Sequence, residues 1–320
     1  MERQYLLPQQ GSFYKANLHA HSIHSDGKLT PKEMKSLYQK NGYHILAYTD
    51  HNVLNYFDEL NEENFLVLCG YEVDAYVNQS YGGFEKTCHL NAIARDPKKA
   101  ILVPKPEYNT KSINETIHVL NNHDFIVNYN HPCWSAEEPK DYLELKGLTA
   151  MEVYNHGCEV DSNDGDSRGH YDIMLKHGMK LFCIATDDNH NGEVVTDNSI
   201  VSDSCGGYTM IKAPKLSYAS IIHAIDNGDF YCSTGPEIYD YYIENNKLII
   251  DCSPVQGIFI KTNNIGVAHR ITSINGDLTH AEFDLSNLRG NETYFRCEIT
   301  DSNRKMAFTN PYFLSLNGTK

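Results

Sequence analysis

What most constrains this chain is how its apolar runs end. Stretches suited to strands recur at Lys15–His19, His44–Thr49, Phe65–Cys69, His89–Ala94, Phe125–Tyr129, Thr149–Tyr154, Leu181–Ala185 and Tyr208–Ile211. Strand after strand runs into an imidazole or a carboxylate. His19 and His21 leave the first, with Asp26 close behind. The second ends Thr49-Asp50-His51, the third runs into Gly70-Tyr71-Glu72, and the fifth ends Asn130-His131-Pro132. Glu152 lies in the sixth, and the seventh ends Asp187-Asp188-Asn189-His190. His89 is the exception, because it opens its strand.

Helix signals fall between several of these runs. Thr30-Pro31-Lys32-Glu33 reads as an N-cap, a first-turn proline and a capping-box glutamate, with Gly42 closing the helix. Ser112 with Glu115 predicts a second capping box, and Tyr171–His177 and Ser217–Asn227 each precede a glycine. Strand alternating with helix predicts an α/β fold with a largely parallel sheet or barrel. In a parallel barrel the strand ends converge on one face, where active sites sit. Past Gly235-Pro236 the helical periodicity stops. Short β-like runs follow at Tyr239–Ile243, Lys247–Ile250, Ile258–Lys261, Ala281–Leu285, Tyr294–Ile299 and Phe308–Tyr312. Residues 1–235 therefore read as one α/β domain and residues 236–320 as a small all-β sandwich.

Imidazoles and carboxylates gathered in one pocket repel one another without cations, and together they suit Zn, Mn or Fe(II). The spacing His19-x-His21 puts both rings on one side of an extended strand, as a shared metal requires, and Asp188-x-His190 repeats it. For any one of these residues the plain alternative is a hydrogen-bonded polar group at a strand end. A succession of nine favours the metal.

The segment from His19-Ala20-His21 to Ser25-Asp26-Gly27, followed by Thr49-Asp50-His51, resembles the opening of the PHP (polymerase and histidinol phosphatase) metallohydrolase family. Glu72, His89, His131-Pro132 and Asp188-x-His190 match its later motifs in order, so the resemblance covers roughly residues 14–235. It implies a distorted (β/α)7 barrel holding up to three divalent transition metals. By this resemblance His19, His21, Glu72 and Asp188 hold the first. Glu72 bridges to a second held by His89 and His131, and Asp26, His51 and His190 hold the third. Asp187 competes with Asp188 for its place, and the spacing to His190 favours Asp188. The tail, with Ser233-Thr234-Gly235-Pro236 and Ala307-Phe308-Thr309-Asn310-Pro311, resembles the β-sandwich of the CehA/McbA-like subgroup.

Charge then narrows the substrate. The chain has 27 Lys and Arg against 42 Asp and Glu, a net charge of −15, which gives no basic track for extended nucleic acid. Three dications set against Asp26, Glu72 and Asp188 nonetheless leave a local charge of about +3, suited to a small phosphorylated or otherwise anionic substrate. The expected activity is hydrolysis of a phosphomonoester or nucleotide-like phosphoester by metal-bound hydroxide. The alternatives are a metal-dependent ester, amide or carbamate hydrolase, and a non-catalytic binding module.

Glu72 and Asp188 are the expected catalytic carboxylates, and His156, just past the sixth strand, is a candidate proton donor to the leaving group. Arg168, in the Asp161–Gly169 loop, is a candidate phosphate contact. Trp134, the sole tryptophan, is a candidate stacking surface, with core packing as its plain alternative. Glu152 and Asn155 are expected to support the ligands. Apolar runs such as Phe65–Cys69 and Leu181–Ala185 fall far short of the roughly 20 residues of a membrane span. Met1–Gln4 shows no leader, and nine cysteines without a CxxC element fit a reduced, cytoplasmic protein.

Overall fold

In the first helix, α1 (Pro31–Lys40), the Thr30 hydroxyl accepts from the Glu33 amide while the Glu33 carboxylate accepts from the Thr30 amide. This is the reciprocal cap foreseen from sequence, and it turns Met34 and Tyr38 into the core. The computed structural model describes residues 3–77, 85–192 and 202–314. Met1 and Glu2, half of the stretch read for a leader, lie outside them. Among the described residues no helix is long and apolar enough to cross a membrane.

Two strands, β1 (Gln4–Tyr5) and β2 (Ser12–Asn17), precede α1, and β3 (Ile45–Tyr48), β4 (Leu66–Tyr76) and β5 (Thr87–Ala94) follow it. Next come α2 (Thr110–Asn122), β6 (Phe125–Tyr129), the single turn α3 (Pro139–Tyr142), β7 (Ala150–Asn155), α4 (His156–Ser162) and α5 (Arg168–Lys176). Then come β8 (Phe182–Thr186), β9 (Tyr208–Ala213), α6 (Tyr218–Asn227) and β10 (Phe230–Ser233). Two local expectations need correction. Helix α2 starts at Asn109, whose side chain accepts from the Ser112 amide, so Ser112 is inside the first turn and is not the cap. The loop expected around Arg168 ends at Ser167, and Arg168 opens α5.

The sheet is mixed, not largely parallel. β2, β3 and β4 pair in parallel, as do β6, β7 and β8. β5 runs antiparallel to both β4 and β6, and β9 antiparallel to β2. The connection from Tyr76 to Thr87 is too short for the crossover that a parallel pair needs, so β4 and β5 form a hairpin. Side chains from β2 through β9, among them Ala16, Ile45, Leu68, Ile93, Ile126, Ala150, Ile184 and Ile211, join one buried cluster covered by α6. Thr209 Oγ1 on β9 donates to the Ala185 carbonyl of β8 at 3.1 Å.

Beyond Pro236 the described residues form strands and one short 3-10 turn. These are β11 (Ile238–Glu244), β12 (Lys247–Val255), β13 (Gly257–Thr262), β14 (His269–Thr272), β15 (Leu278–Asp284), β16 (Tyr294–Thr300), β17 (Met306–Thr309) and β18 (Tyr312–Phe313). β17 pairs with β10, so the main sheet continues through β16 and β13 into this region. A second sheet, in the order β1-β11-β12-β15, shares an apolar core with it that includes Tyr241, Ile250, Ile258, Phe283 and Phe295. The amino-terminal β1 thus belongs with the all-β part.

Candidate metal centre

The segment leaving β2 is stitched on both sides by backbone bonds. The Thr49 amide donates to the Ala20 carbonyl, the His21 amide to Asn189, and the Asp188 amide to His19. This brings the ends of β2, β3 and β8 together. The His19 and His21 Nε2 atoms lie 3.1 Å apart, and Asp188 Oδ1 sits 3.0 Å from the first and 2.9 Å from the second. Glu72 completes the set from β4, with Oε1 3.2 Å from His19 Nε2 and Oε2 3.3 Å from His21 Nε2. All four residues can offer atoms within 4.8 Å of one another. Sequence reasoning placed Glu72 at a strand end, whereas β4 runs on to Tyr76 and presents it from mid-strand.

A second group lies further out. His21, Asp26, His51 and His190 form it, with Asp26 Oδ1 3.4 Å from His190 Nε2 and Asp26 Oδ2 3.7 Å from His51 Nε2. It is the open end of the site, since the Asp26 side chain is 53% exposed while those of His19 and His21 are fully buried. His51 also reaches inward. Its Nδ1 lies 3.0 Å from Glu72 Oε2, so it groups with Glu72 and His89 as well as with Asp26. Glu72 Oε1 in turn lies 3.1 Å from His89 Nδ1 and 3.4 Å from His131 Nε2. His89 reaches the centre because β5 is antiparallel, which puts the start of β5 beside the outgoing end of β4.

Other polar groups hold these ligands in place. Glu152 accepts from His19 Nδ1 at 2.7 Å, from Thr186 Oγ1 at 2.6 Å, from Asn155 Nδ2 at 2.9 Å and from the His131 amide at 3.1 Å. The bond to Nδ1 leaves the His19 Nε2 lone pair turned to the cluster. Asn155 Nδ2 also donates to Asp188 Oδ2. Asp187 faces away, accepting from the amides of Cys205, Gly206 and Gly207 and from the Tyr38 hydroxyl, so Asp188 is the aspartate that faces the cluster. Sequence reasoning gave no role to Asp50 or Asp203. Asp50 accepts from the Ser22 amide, Ser25 Oγ and Asn55 Nδ2 and anchors the loop that carries Asp26. Asp203 accepts from the His190 and Asn191 amides. The adjacency of Asp50 to His51 was a signal for the first, and nothing local marked the second.

The electrostatics of the cluster call for positive charge. Burial penalises the His21 cation, but the Asp188 and Glu72 carboxylates beside it outweigh that and raise its pKa to about 9. His19 and His131 are likewise lifted above ordinary imidazole, against burial, by the surrounding carboxylates. The Glu72 carboxyl is held well below its usual range, against burial, by His89, His19 and His51. Burial pushes His51 down to about 4. Four buried atoms of the cluster, Glu72 Oε2, Asp188 Oδ1, His51 Nδ1 and His89 Nε2, have no hydrogen-bond partner. Unpartnered imidazole nitrogens and carboxylate oxygens in one cluster without a thiol fit divalent transition metals.

The remaining candidates lie around this cluster. Trp134 is 39% exposed, its ring centroid 5.2 Å from that of His131. His156 opens α4, and both ring nitrogens have protein partners, Nδ1 the Tyr154 hydroxyl and Nε2 the Ser202 carbonyl, each at 3.0 Å. The structure does not bring Arg168 to the cluster. Its guanidinium is forked on Asp166 and points to Met306 and Glu298 in the all-β part.

The family model of the PHP domain matches residues 17–194, more than half of the chain, a span within which all nine residues expected as ligands lie. No curated protein matches. Among solved structures, a two-domain protein from Bacteroides vulgatus containing a predicted PHP-like metal-dependent phosphoesterase is similar at 14% identity, with a TM-score of 0.47 and 99% of each chain covered. A candidate metal-dependent phosphoesterase from Bifidobacterium adolescentis is 17% identical over 60% of this chain and 94% of its own, with a TM-score of 0.41. An amidohydrolase from Chromobacterium violaceum is 17% identical over 57% of this chain and 92% of its own, with a TM-score of 0.40.

Proposed function

The chain belongs to the PHP domain family, and on that premise we propose that it is a metal-dependent phosphoesterase acting on a phosphomonoester or nucleotide-like phosphoester. The observation that carries this reading is Glu72, fully buried, with its two oxygens turned to different sets of histidines. In this reading His19, His21, Glu72 and Asp188 hold one divalent ion, and Glu72 with His89 and His131 holds a second. Asp26, His51 and His190 hold a third. When bound, such ions supply an acidified water as nucleophile and positive charge for phosphoryl oxygens.

The chain's own groups do the positioning. Glu152 orients His19, Asp50 fixes the Asp26 loop, and Asp203 fixes the turn that carries His190. Three ions against three carboxylates leave a charge of about +3, which favours an anion over a neutral ester. Contributions from β2 to β9 to one core, and the Thr209–Ala185 contact, support reading this part as a distorted (β/α)7 barrel. The all-β carboxy-terminal part supports placement in the CehA/McbA-like subgroup. Nine free cysteines support a cytoplasmic setting.

The test is a panel of phosphate and carboxyl esters on protein reconstituted with Zn, Mn or Fe(II). Phosphoester turnover should exceed carboxyl-ester turnover at similar substrate size, and inorganic phosphate should inhibit competitively. The opposite order would move the assignment to an ester, amide or carbamate hydrolase. Absence of bound metal and of all turnover would leave a binding module.

A further inference from the structure

A cavity of about 540 Å³ opens beside the ligand cluster, with Asp188 and His190 at one side and Trp134, Cys158, Val160 and Asp161 lining the rest. The indole is tethered at one edge. Its Nε1 donates to Asp161 Oδ2 at 3.2 Å, tying the loop after β6 to α4, and its ring meets His131 edge-on and lies 6.0 Å from His89. The α4 wall is equally fixed. The Gly157 amide donates to the Asp187 carbonyl at 2.7 Å, and a Cβ at Gly157 would come within 2.8 Å of the Asp187 and Asp188 carbonyl oxygens. A phosphoryl group at the Asp188 and His190 side therefore leaves its alcohol portion against the tethered indole.

The charges lining this cavity are one-sided. Among the described residues no Lys or Arg lines it. Asp203 is spent on backbone amides and Asp188 lies in the cluster, which leaves Asp161, whose Oδ2 accepts from the indole, as the described lining carboxylate away from the cluster. A second anionic group on the substrate would meet Asp161 with no cation to offset it.

We propose that this cavity is a leaving-group site selective for phosphomonoesters whose alcohol portion has an aromatic face and a neutral or cationic far end, with Trp134 as the platform and Asp161 as the specificity determinant. The inference rests on the phosphoesterase reading and adds a substrate class to it.

Three aryl phosphates of similar phenol basicity provide the test: 4-(2-aminoethyl)phenyl phosphate, 4-ethylphenyl phosphate and 3-(4-phosphonooxyphenyl)propanoate. With metal-loaded protein, kcat/KM should be at least about tenfold higher for the cationic ester than for the anionic one, mainly through KM, with the neutral ester between. Asp161→Asn should shrink that ratio. Trp134→Ala should raise KM for all three aryl esters more than for glycerol phosphate, and Trp134→Phe should recover part of the loss. A ratio near one in the parent, or an undiminished ratio in Asp161→Asn, would overturn this inference while the phosphoesterase reading stands. No turnover of any phosphate ester would overturn both.

Discussion

At the scale of single residues, Glu72 and Glu137 are both buried, and their neighbours decide which carboxylate keeps its charge. Glu72 is surrounded by His19, His21, His51, His89 and His131 and is held ionised. Glu72→Gln keeps the volume and removes the charge, so activity should fall by roughly two orders of magnitude or more, together with the metal content per chain. Near-native turnover in that variant would end the bridging assignment. Glu137, on the loop after β6, is buried against the Tyr108 and Tyr129 hydroxyls, and burial raises its pKa to about 7. The folded protein therefore binds a proton here more tightly than the unfolded chain, and the associated stability is lost as pH rises from about 4.5 to about 7. The full loss is about 3 kcal/mol. Glu137→Gln should flatten the pH dependence by that amount, which urea titrations of parent and variant across this range would measure.

At the scale of elements, α2 separates what sequence and structure say about its start. Asn109 Oδ1 accepts from the Ser112 amide at 2.9 Å, while Ser112 Oγ accepts from the Glu107 amide. Asn109→Ala should cost about 1 kcal/mol in thermal or denaturant unfolding, and Ser112→Ala distinctly less. The reverse order would restore the capping box read from sequence. The β4–β5 hairpin has a larger consequence. Reversing β5 turns a residue that opens its strand, His89, into one that faces the same centre as residues that close theirs.

At the scale of the whole molecule, one sheet joins the part that carries the His, Asp and Glu cluster to the all-β part, and a buried arginine fastens them side to side. Arg296 on β16 is 1% exposed and pairs with Asp172 on α5 at 2.7 Å and with Glu298 at 2.6 Å. Arg296→Ala would leave two carboxylates without their main partner, at a cost of about 3–5 kcal/mol in equilibrium unfolding. A change below about 1 kcal/mol would mean that solvent replaces the pair. Removing the metals with a chelator should also lower the melting temperature, because ions that bind only the folded arrangement stabilise it by mass action. An unchanged melting temperature would count against the centre.

Local signals in the sequence determined a great deal. The α1 cap, most strand positions, the switch to strands after Pro236 and the run of His, Asp and Glu residues at successive strand ends were all legible, because each depends on periodicity, capping or spacing within a few residues, whereas the division of those residues among ions came from the family resemblance. What depended on distant partners was not. Whether Asp187 or Asp188 faces the cluster depends on the amides of residues 205–207, nearly twenty positions away. The roles of Asp203 and Asp161 depend on what packs against them, and His51 meets both Glu72 and Asp26 only once β3 and β4 are paired. Spacing along a chain places side chains on a face. Only the pairing of strands decides which faces meet, because the hydrogen bonds and charges that select one arrangement come from residues far apart in sequence.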